Sequence, residues 1–207
     1  AMGVYSLRIS VDYLEQTFGR NMNSMAGVMV NELDQAIEHK IEQLQQFTYS
    51  ASVRKYMQDS NDRFAAMENH HEFVQSIEDK WPELSEKEND FTYLLLNNDL
   101  ALELDQRFLT FYSREQGRNV FLEVFVTNAY GANIAQTGLT EDYFQADEEW
   151  WVQCMENGRY VGGVSFDPGV DSYGIVVAVR MDGQGGRPLG VIKAFLSASW
   201  LMREAQF

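Results

Sequence analysis

The sequence predicts an α+β fold in which a long N-terminal helix precedes a five-stranded antiparallel sheet, with helices packed on one face of the sheet. The prediction rests on a change of period along the chain. Up to residue 117, apolar side chains recur every three or four residues, as they do along one face of a helix. Beyond that point, short runs of β-branched and aromatic residues alternate with Gly, Pro, Asn and Asp, the pattern of strands joined by tight turns.

The first 50 residues are predicted to form one long helix. No proline occurs between Val4 and Thr48, and the apolar stripe is continuous. A helix of about 45 residues would be about 68 Å long, too long to stand alone in a compact domain. Two alternatives remain: the helix pairs with a second copy of itself, or it breaks near Gly19 or Gly27 and packs within its own domain.

Residues 51–117 are predicted to form shorter helices. Pro82 marks a point where one helix ends or another begins. The stretch from Asn89 to Leu96 fits either a short strand or an apolar helical turn, and a further helix is expected from Leu100 to Tyr112.

Five strands and one helix are expected beyond residue 117. The order is two strands, a helix, and three strands in hairpin succession, which implies an antiparallel sheet. Strong turn signals, Asp167-Pro168-Gly169 and the segment 182–186, join the last three strands. The expected elements are strands Val120–Thr127 and Asn133–Thr137, an acidic and aromatic helix Asp142–Glu156, strands Tyr160–Phe166, Tyr173–Arg180 and Pro188–Leu196, and a final helix Ala198–Phe207.

Composition excludes several classes of function. A formal net charge of −15 argues against nucleic acid or an anionic lipid surface as the main partner. The single cysteine, Cys154, allows no internal disulfide, and the three histidines have no zinc-site spacing. No nucleophile elbow or phosphate loop is present. We therefore expect no enzyme, no metal site and no cofactor.

Residues 142–151, DYFQADEEWW, are the main candidate for a binding site. On a helix, Tyr143, Asp147, Trp150 and Trp151 would share one face. A carboxylate beside indole rings suits a cation, so this pattern favours an amine-bearing ligand. Either tryptophan fits equally well as a core residue that packs the helix on the sheet.

Other candidate ligand contacts come from strands and turns that would face this helix. Asp167 fits a turn-capping role as well as a binding one. Lys193 is the one basic residue placed to meet an anion or to pair with Asp147. The further candidates are Phe125, Tyr130, Phe166, Asp167 and Tyr173.

The run of motifs FLEVFVTNAYGANIAQTG, DYFQADEEWW, GRYVGGVSFDPG and YGIVVAVRMDGQGGRPLGVIKAFLS resembles the Cache (PAS-like, PDC) extracytoplasmic sensor domains of bacterial and archaeal membrane receptors. The resemblance covers residues 121–200 well. It implies a single PAS-like sensor core over residues 118–200. It also implies a signalling and dimerisation helix over residues 1–50, a helical subregion over 51–117 and an exit toward the membrane over 201–207.

The same resemblance implies a function and a location. The chain would be the periplasmic or extracellular domain of an inner-membrane protein, homodimeric through its first helix and fused to transmembrane segments. The output module would be a histidine kinase, a chemotaxis receptor or a diguanylate cyclase. The ligand pocket would lie between the sheet and residues 143–151. Amino-acid-binding members carry an arginine before a Trp-Tyr pair, whereas this chain has Asp147, Glu148 and Glu149 there, which favours a cationic group.

Two other functions remain open on the sequence. The surplus of acidic residues also fits a divalent-cation sensor of the same fold. Alternatively, the first helix is a dimerisation rod of an interaction module that has a closed core and binds no small molecule.

Overall fold

A computed structural model describes residues 26–86, 89–116 and 119–204 of the chain. The first described element, α1, is helical over residues 26–48. Gly27, one of the two predicted break points, is the second described residue and is helical. Positions 4–25 of the predicted long helix, including Gly19, lie outside the described residues.

Short helices fill the region between α1 and the sheet. Asn89 caps α5 by accepting hydrogen bonds from the backbone N–H groups of Phe91 and Thr92, so the helical alternative for this stretch is correct. Asn98 caps the next helix in the same way. The helices are α2 (Ala51–Ala66), α3 (His70–Glu78), α4 (Trp81–Glu86), α5 (Asp90–Asn97), α6 (Asp99–Leu104) and α7 (Phe111–Gln116), with a π-helical turn, Asp105–Thr110, between α6 and α7.

A five-stranded antiparallel sheet follows, and it confirms the predicted fold class. The strands lie in the order β2-β1-β5-β4-β3, so β5 occupies the centre. The strands are β1 (Phe121–Asn128), β2 (Asn133–Gln136), β3 (Arg159–Asp167), β4 (Ser172–Asp182) and β5 (Pro188–Ser197), with α8 (Glu149–Asn157) before β3 and α9 (Ala198–Glu204) after β5.

Helices cover both faces of this sheet. One face packs against α1, α2, α6 and α9, because alternate residues of β1, β4 and β5 point into that large core. The opposite face carries Phe125, Ala178 and Val191, which pack against Trp150 and Trp151 of α8. The expectation that all helices lie on one face is therefore wrong, because α8 packs on the second face.

The predicted helix Asp142–Glu156 begins seven residues late, at Glu149. Backbone groups of the residues before Glu149 pair with other parts of the chain. Phe144 forms a β-bridge with Ala132, and the carbonyl of Tyr143 accepts from the backbone N–H of Asn133. Since these groups bond across to the β1–β2 turn, residues 142–148 form an ordered loop, called here the pocket loop together with residues 139–141.

No described helix is both long and apolar enough to cross a membrane. The final helix α9 extends from Ala198 to Glu204, as the predicted C-terminal helix requires, and residues 205–207 lie outside the described part. Trp200 and Leu201 of α9 are buried in the same core as α1.

Candidate functional site

A cavity of about 230 Å³ lies between the second face of the sheet and the pocket loop. Its floor comes from β1, β5 and β4, its sides from the pocket loop and the start of α8, and its rim from the β3–β4 turn. The lining residues are Glu123, Phe125, Leu139, Thr140, Glu141, Asp142, Gln145, Glu148, Trp150, Asp167, Gly169, Val176 and Lys193. We call this the acidic cavity.

Carboxylates dominate the acidic cavity. Five of its lining side chains are Asp or Glu, against one lysine, which gives a strongly negative potential when all are ionised. Burial raises the pKa of Glu148, and the nearby carboxylates of Asp147 and Asp142 raise it further. An ammonium group placed here would relieve this repulsion, so the cavity favours cations over anions.

Lys193 is the cationic side chain at the floor of the cavity. Its Nζ lies 4.8 Å from the centre of the Phe125 ring and 4.9 Å from that of Trp150. Burial lowers the pKa of Lys193, while the carboxylates of Glu123 and Asp167 oppose that change. Of the two indoles that the sequence assigns to a ligand cation, that of Trp150 is thus already in contact with the protein's own ammonium.

Glu123 is the most perturbed carboxyl group of the cavity. It is 7% exposed, and burial raises its pKa to about 7, with Lys193 acting in the opposite direction. Because the folded-state pKa exceeds the unfolded one, Glu123 contributes stability that is fully present below pH ~4.5 and is lost as the pH rises through about 7.

We expect Glu123→Gln to flatten this dependence. Between pH 5 and pH 8 the free energy of unfolding of the variant, relative to wild type, should rise by about 2 kcal/mol, since a glutamine needs no desolvation of charge. Urea denaturation at both pH values measures it. Glu149→Gln, at an exposed position on α8, is the control. If the free energy of unfolding changed with pH equally in the variant and in wild type, the burial of Glu123 would have no effect on its ionisation.

The pocket loop is held in place by residues from the short helices. Oε2 of Glu78 accepts the backbone N–H groups of Tyr143 and Phe144 at 3.0 and 2.8 Å. The indole N–H of Trp81 donates to the carbonyl of Thr140 at 2.8 Å, and Trp81 is only 1% exposed. Helices α3 and α4 therefore fix the wall of the acidic cavity.

The structure brings three of the predicted site residues together at this cavity: Phe125, Trp150 and Asp167. Asp167 also accepts the backbone N–H of Gly169 at 2.9 Å, so it caps the turn and lines the cavity at once.

The predicted helical face of Tyr143, Asp147, Trp150 and Trp151 is wrong, because Tyr143 and Asp147 precede α8. Tyr143 is buried against Trp81 and Phe91. Asp147 is exposed outside the cavity lining.

Four further predicted residues lie away from the acidic cavity: Tyr130, Trp151, Phe166 and Tyr173. The indole N–H of Trp151 donates to Oγ1 of Thr127 at 2.9 Å, which is a core contact. Tyr130 stacks on Phe64, with ring centres 5.5 Å apart.

Phe166 and Tyr173 are cross-strand partners, and Tyr173 has the same parity as the core residue Ile175. Their side chains therefore start from the opposite face of the sheet.

Sequence reasoning missed most of the carboxylates that line the cavity. Glu123 sits in an otherwise apolar strand, VFLEVFV, and a lone acidic residue on a buried strand was the available signal. Glu141 and Asp142 come from the pocket loop, whose course depends on hydrogen bonds to Asn133 and to Glu78, the second of which is distant in sequence.

No protein-family model matches the chain, and no curated protein is a significant match. Solved structures to which it is similar include the ligand-binding domain of the Campylobacter jejuni chemoreceptor Tlp3 in complex with 4-methylisoleucine. The identity is 14%, the match covers 77% of this chain and 65% of that one, and the TM-score is 0.39.

Two other receptors give similar values. The ligand-binding domain of the Pseudomonas aeruginosa amino acid chemoreceptor PctC, in complex with GABA, is 17% identical, covering 64% of this chain and 60% of that one, with a TM-score of 0.38. The sensor domain of the V. cholerae histidine kinase DctB is 16% identical over 75% of this chain and 60% of that one, with a TM-score of 0.38. All three are sensor or ligand-binding domains of receptors. The chain spans less than two thirds of their length.

Within residues 26–86, 89–116 and 119–204, no group of three or more His, Cys, Asp or Glu side chains is arranged to hold a metal ion. The carboxylates of the acidic cavity surround a space and do not converge on one point. This arrangement does not favour the divalent-cation alternative.

Proposed function

We propose that this chain is the extracytoplasmic sensor domain of a transmembrane receptor and that it binds a small amine-bearing molecule in the acidic cavity. The observation that carries the proposal is the combination of five carboxylates, one lysine and two aromatic rings around one cavity between sheet and loop. A pocket with convergent charged groups and apolar walls is the usual form of a small-molecule site. The domain itself does no chemistry.

The ligand ammonium binds at the loop side of the cavity. Lys193 already covers the rings of Phe125 and Trp150, so the free acceptors for a ligand cation are the carboxylates of Glu148, Asp142 and Glu141. The ammonium of Lys193 in turn offers a donor to a carbonyl or carboxylate of the same ligand. The cavity therefore suits a molecule with an amine and an oxygen acceptor a few bonds apart.

The central strand β5 links the cavity to the terminal helices. Lys193 lies on β5, and β5 continues without a loop into α9. In α9, the ring of Trp200 lies 5.2 Å from Nζ of Lys40 on α1, and that Nζ also donates to the hydroxyl of Tyr112 at 3.3 Å. Ligand binding at Lys193 would favour one packing of α9 against α1, which is how a sensor transmits occupancy.

Glu148→Gln should weaken binding of an amine ligand about tenfold, because it removes one charge-assisted hydrogen bond. The matched control is Glu149→Gln, the adjacent residue, whose side chain accepts from Gln153 of α8 and does not line the cavity. Titration calorimetry with a panel of monoamines, diamines and amino acids measures both. An affinity that falls equally in the two variants, or a panel with no binder, would contradict the proposal.

Lys193→Met tests separately how the cavity binds the amine and the oxygen acceptor of a ligand. It should weaken binding of an amino acid, because the oxygen acceptor loses its donor, and strengthen binding of a simple monoamine, because a competing cation is gone. A uniform loss for both ligand types would place Lys193 in a structural role only.

The dimer and the membrane attachment are parts of the same proposal. Val28, Met29 and Val30 of α1 are exposed, which supports a helix that pairs with a second copy. Sedimentation of the purified domain, with Met29→Glu as the disrupting variant, tests the dimer.

A further inference from the structure

A second cavity, of about 350 Å³, lies on the other side of the pocket loop. Thr140 and Asp142 line the acidic cavity, whereas Tyr143 lines the second one, so the pocket loop is the wall between them. The remaining walls come from α2, α5 and β2. The lining residues are Tyr56, Ser60, Arg63, Phe64, Met67, Phe73, Phe91, Leu94, Leu95, Asn98, Asn133, Ile134 and Tyr143.

The charge of this second cavity is opposite to that of the first. Arg63 is its only charged lining residue, and no carboxylate lines it. Among the described residues Arg63 forms no ion pair, and its guanidinium stays exposed at the mouth. Asp99 is the acidic group that faces the nearby hydroxyl of Tyr56. In a chain with a net charge of −15, an apolar cavity with a free guanidinium at its mouth is suited to an organic anion.

The walls of the second cavity are aromatic. Phe64, Phe73, Phe91 and Tyr143 contribute rings. Two of the ring pairs meet edge to face, Phe64 with Phe73 at 6.0 Å and Phe91 with Tyr143 at 5.4 Å between centres. Aromatic walls of this kind favour a flat aromatic ligand over a flexible chain, because offset and edge contacts add to the burial of the ring.

Asn133 lies at the inner end of the second cavity and ties it to the pocket loop. It is 1% exposed, and its Nδ2 donates to Oγ1 of Thr140 and to the carbonyl of Asp142. The inner end is therefore closed by the same residues that hold the wall of the acidic cavity.

We propose that this second cavity binds a small aromatic carboxylate. The carboxylate pairs with Arg63 at the mouth, and the ring packs against the phenylalanines. A ligand here would lie against the pocket loop, which is also the wall of the acidic cavity. This site is independent of the proposed amine site.

The test uses phenylacetate as the probe, with protein amide NMR shifts as the readout. For a ligand of this size we expect a Kd of about 0.1 to 1 mM, with shifts in residues 60–64 and 91–95. 2-Phenylethanol, which lacks the carboxylate, should bind about tenfold more weakly.

Arg63→Gln should weaken binding of the probe about tenfold. Lys55→Gln is the matched control, since it removes a positive charge from the same helix outside the cavity. Leu94→Trp, at an exposed lining position, should block the mouth and abolish binding.

Three results would overturn the proposal. The first is no shift in the amide spectrum at about 10 mM probe. The second is an equal effect of Arg63→Gln and Lys55→Gln. The third is binding that Lys193→Met removes and Arg63→Gln does not, which would place the anion in the acidic cavity. The amine titrations described above report on that other cavity, so failure of one proposal is distinguishable from failure of the other.

Discussion

Gly190→Ala is expected to destabilise the domain by at least about 4 kcal/mol, enough to unfold most of it at 25 °C. Gly190 lies in the central strand, between Asn128 of β1 and Met181 of β4. Its φ of +148° is one that L side chains rarely adopt. A methyl group there would overlap the carbonyl oxygen of Thr127 and lie 2.5 Å from Cε of Met57. Neither the sheet backbone nor α2 can move away without breaking the core.

Far-ultraviolet circular dichroism and urea denaturation measure this loss. Gly163→Ala is the matched control, because Gly163 is also a strand glycine but has no atom within 4 Å of an added methyl. We expect the control to change stability by less than about 1 kcal/mol. If Gly190→Ala proved as mild as Gly163→Ala, the close approach of β1, β5 and α2 would be incorrect.

Local signals predicted the sheet because turn-forming residues mark the ends of the strands. The turn at residues 182–186 contains Gly185 and Gly186, both at positive φ, as the sequence pattern of a glycine-rich hairpin requires. The order of strands then left few topologies to consider. By contrast, the sequence did not predict that α8 would cover the second face. The apolar stripe of α8 shows that one side of the helix is buried, but it does not show which face of the sheet buries it.

The acidic cavity was only partly predictable, and for a specific reason. The pattern of residues 142–151 is amphipathic on a helix, but Glu78, 65 positions before Tyr143, captures the backbone N–H groups of Tyr143 and Phe144. A hydrogen bond from the backbone to a side chain distant in sequence does not change the local spacing of apolar residues, so that spacing cannot predict it. The carboxylates that line the cavity are therefore other than Asp147, and three of them, Glu141, Asp142 and Glu148, belong to the pocket loop.

Trp81→Ala should combine a large loss of stability with a loosened pocket loop. Trp81 is a fully buried tryptophan that packs on Tyr143, and its truncation should cost about 3 to 5 kcal/mol. The carbonyl of Thr140 would also lose its donor, so the pocket loop would keep its bonds to Glu78 and to the β1–β2 turn but lose its attachment to α4. Trp81→Phe, which keeps a ring but removes the indole N–H, should cost less, about 1 to 2 kcal/mol.

Trp200→Ala is the matched control for Trp81→Ala, because it truncates another buried tryptophan, 4% exposed, in the core at α9. Both variants should lose similar stability in urea denaturation. Hydrogen–deuterium exchange then separates them. Peptides covering residues 139–148 should exchange at least about tenfold faster in Trp81→Ala than in Trp200→Ala, since Trp81 bonds to that segment and Trp200 lies in the other core. Equal exchange in the two variants would mean that the pocket loop is held without α4, and that the wall of the acidic cavity does not depend on the helices that precede the sheet.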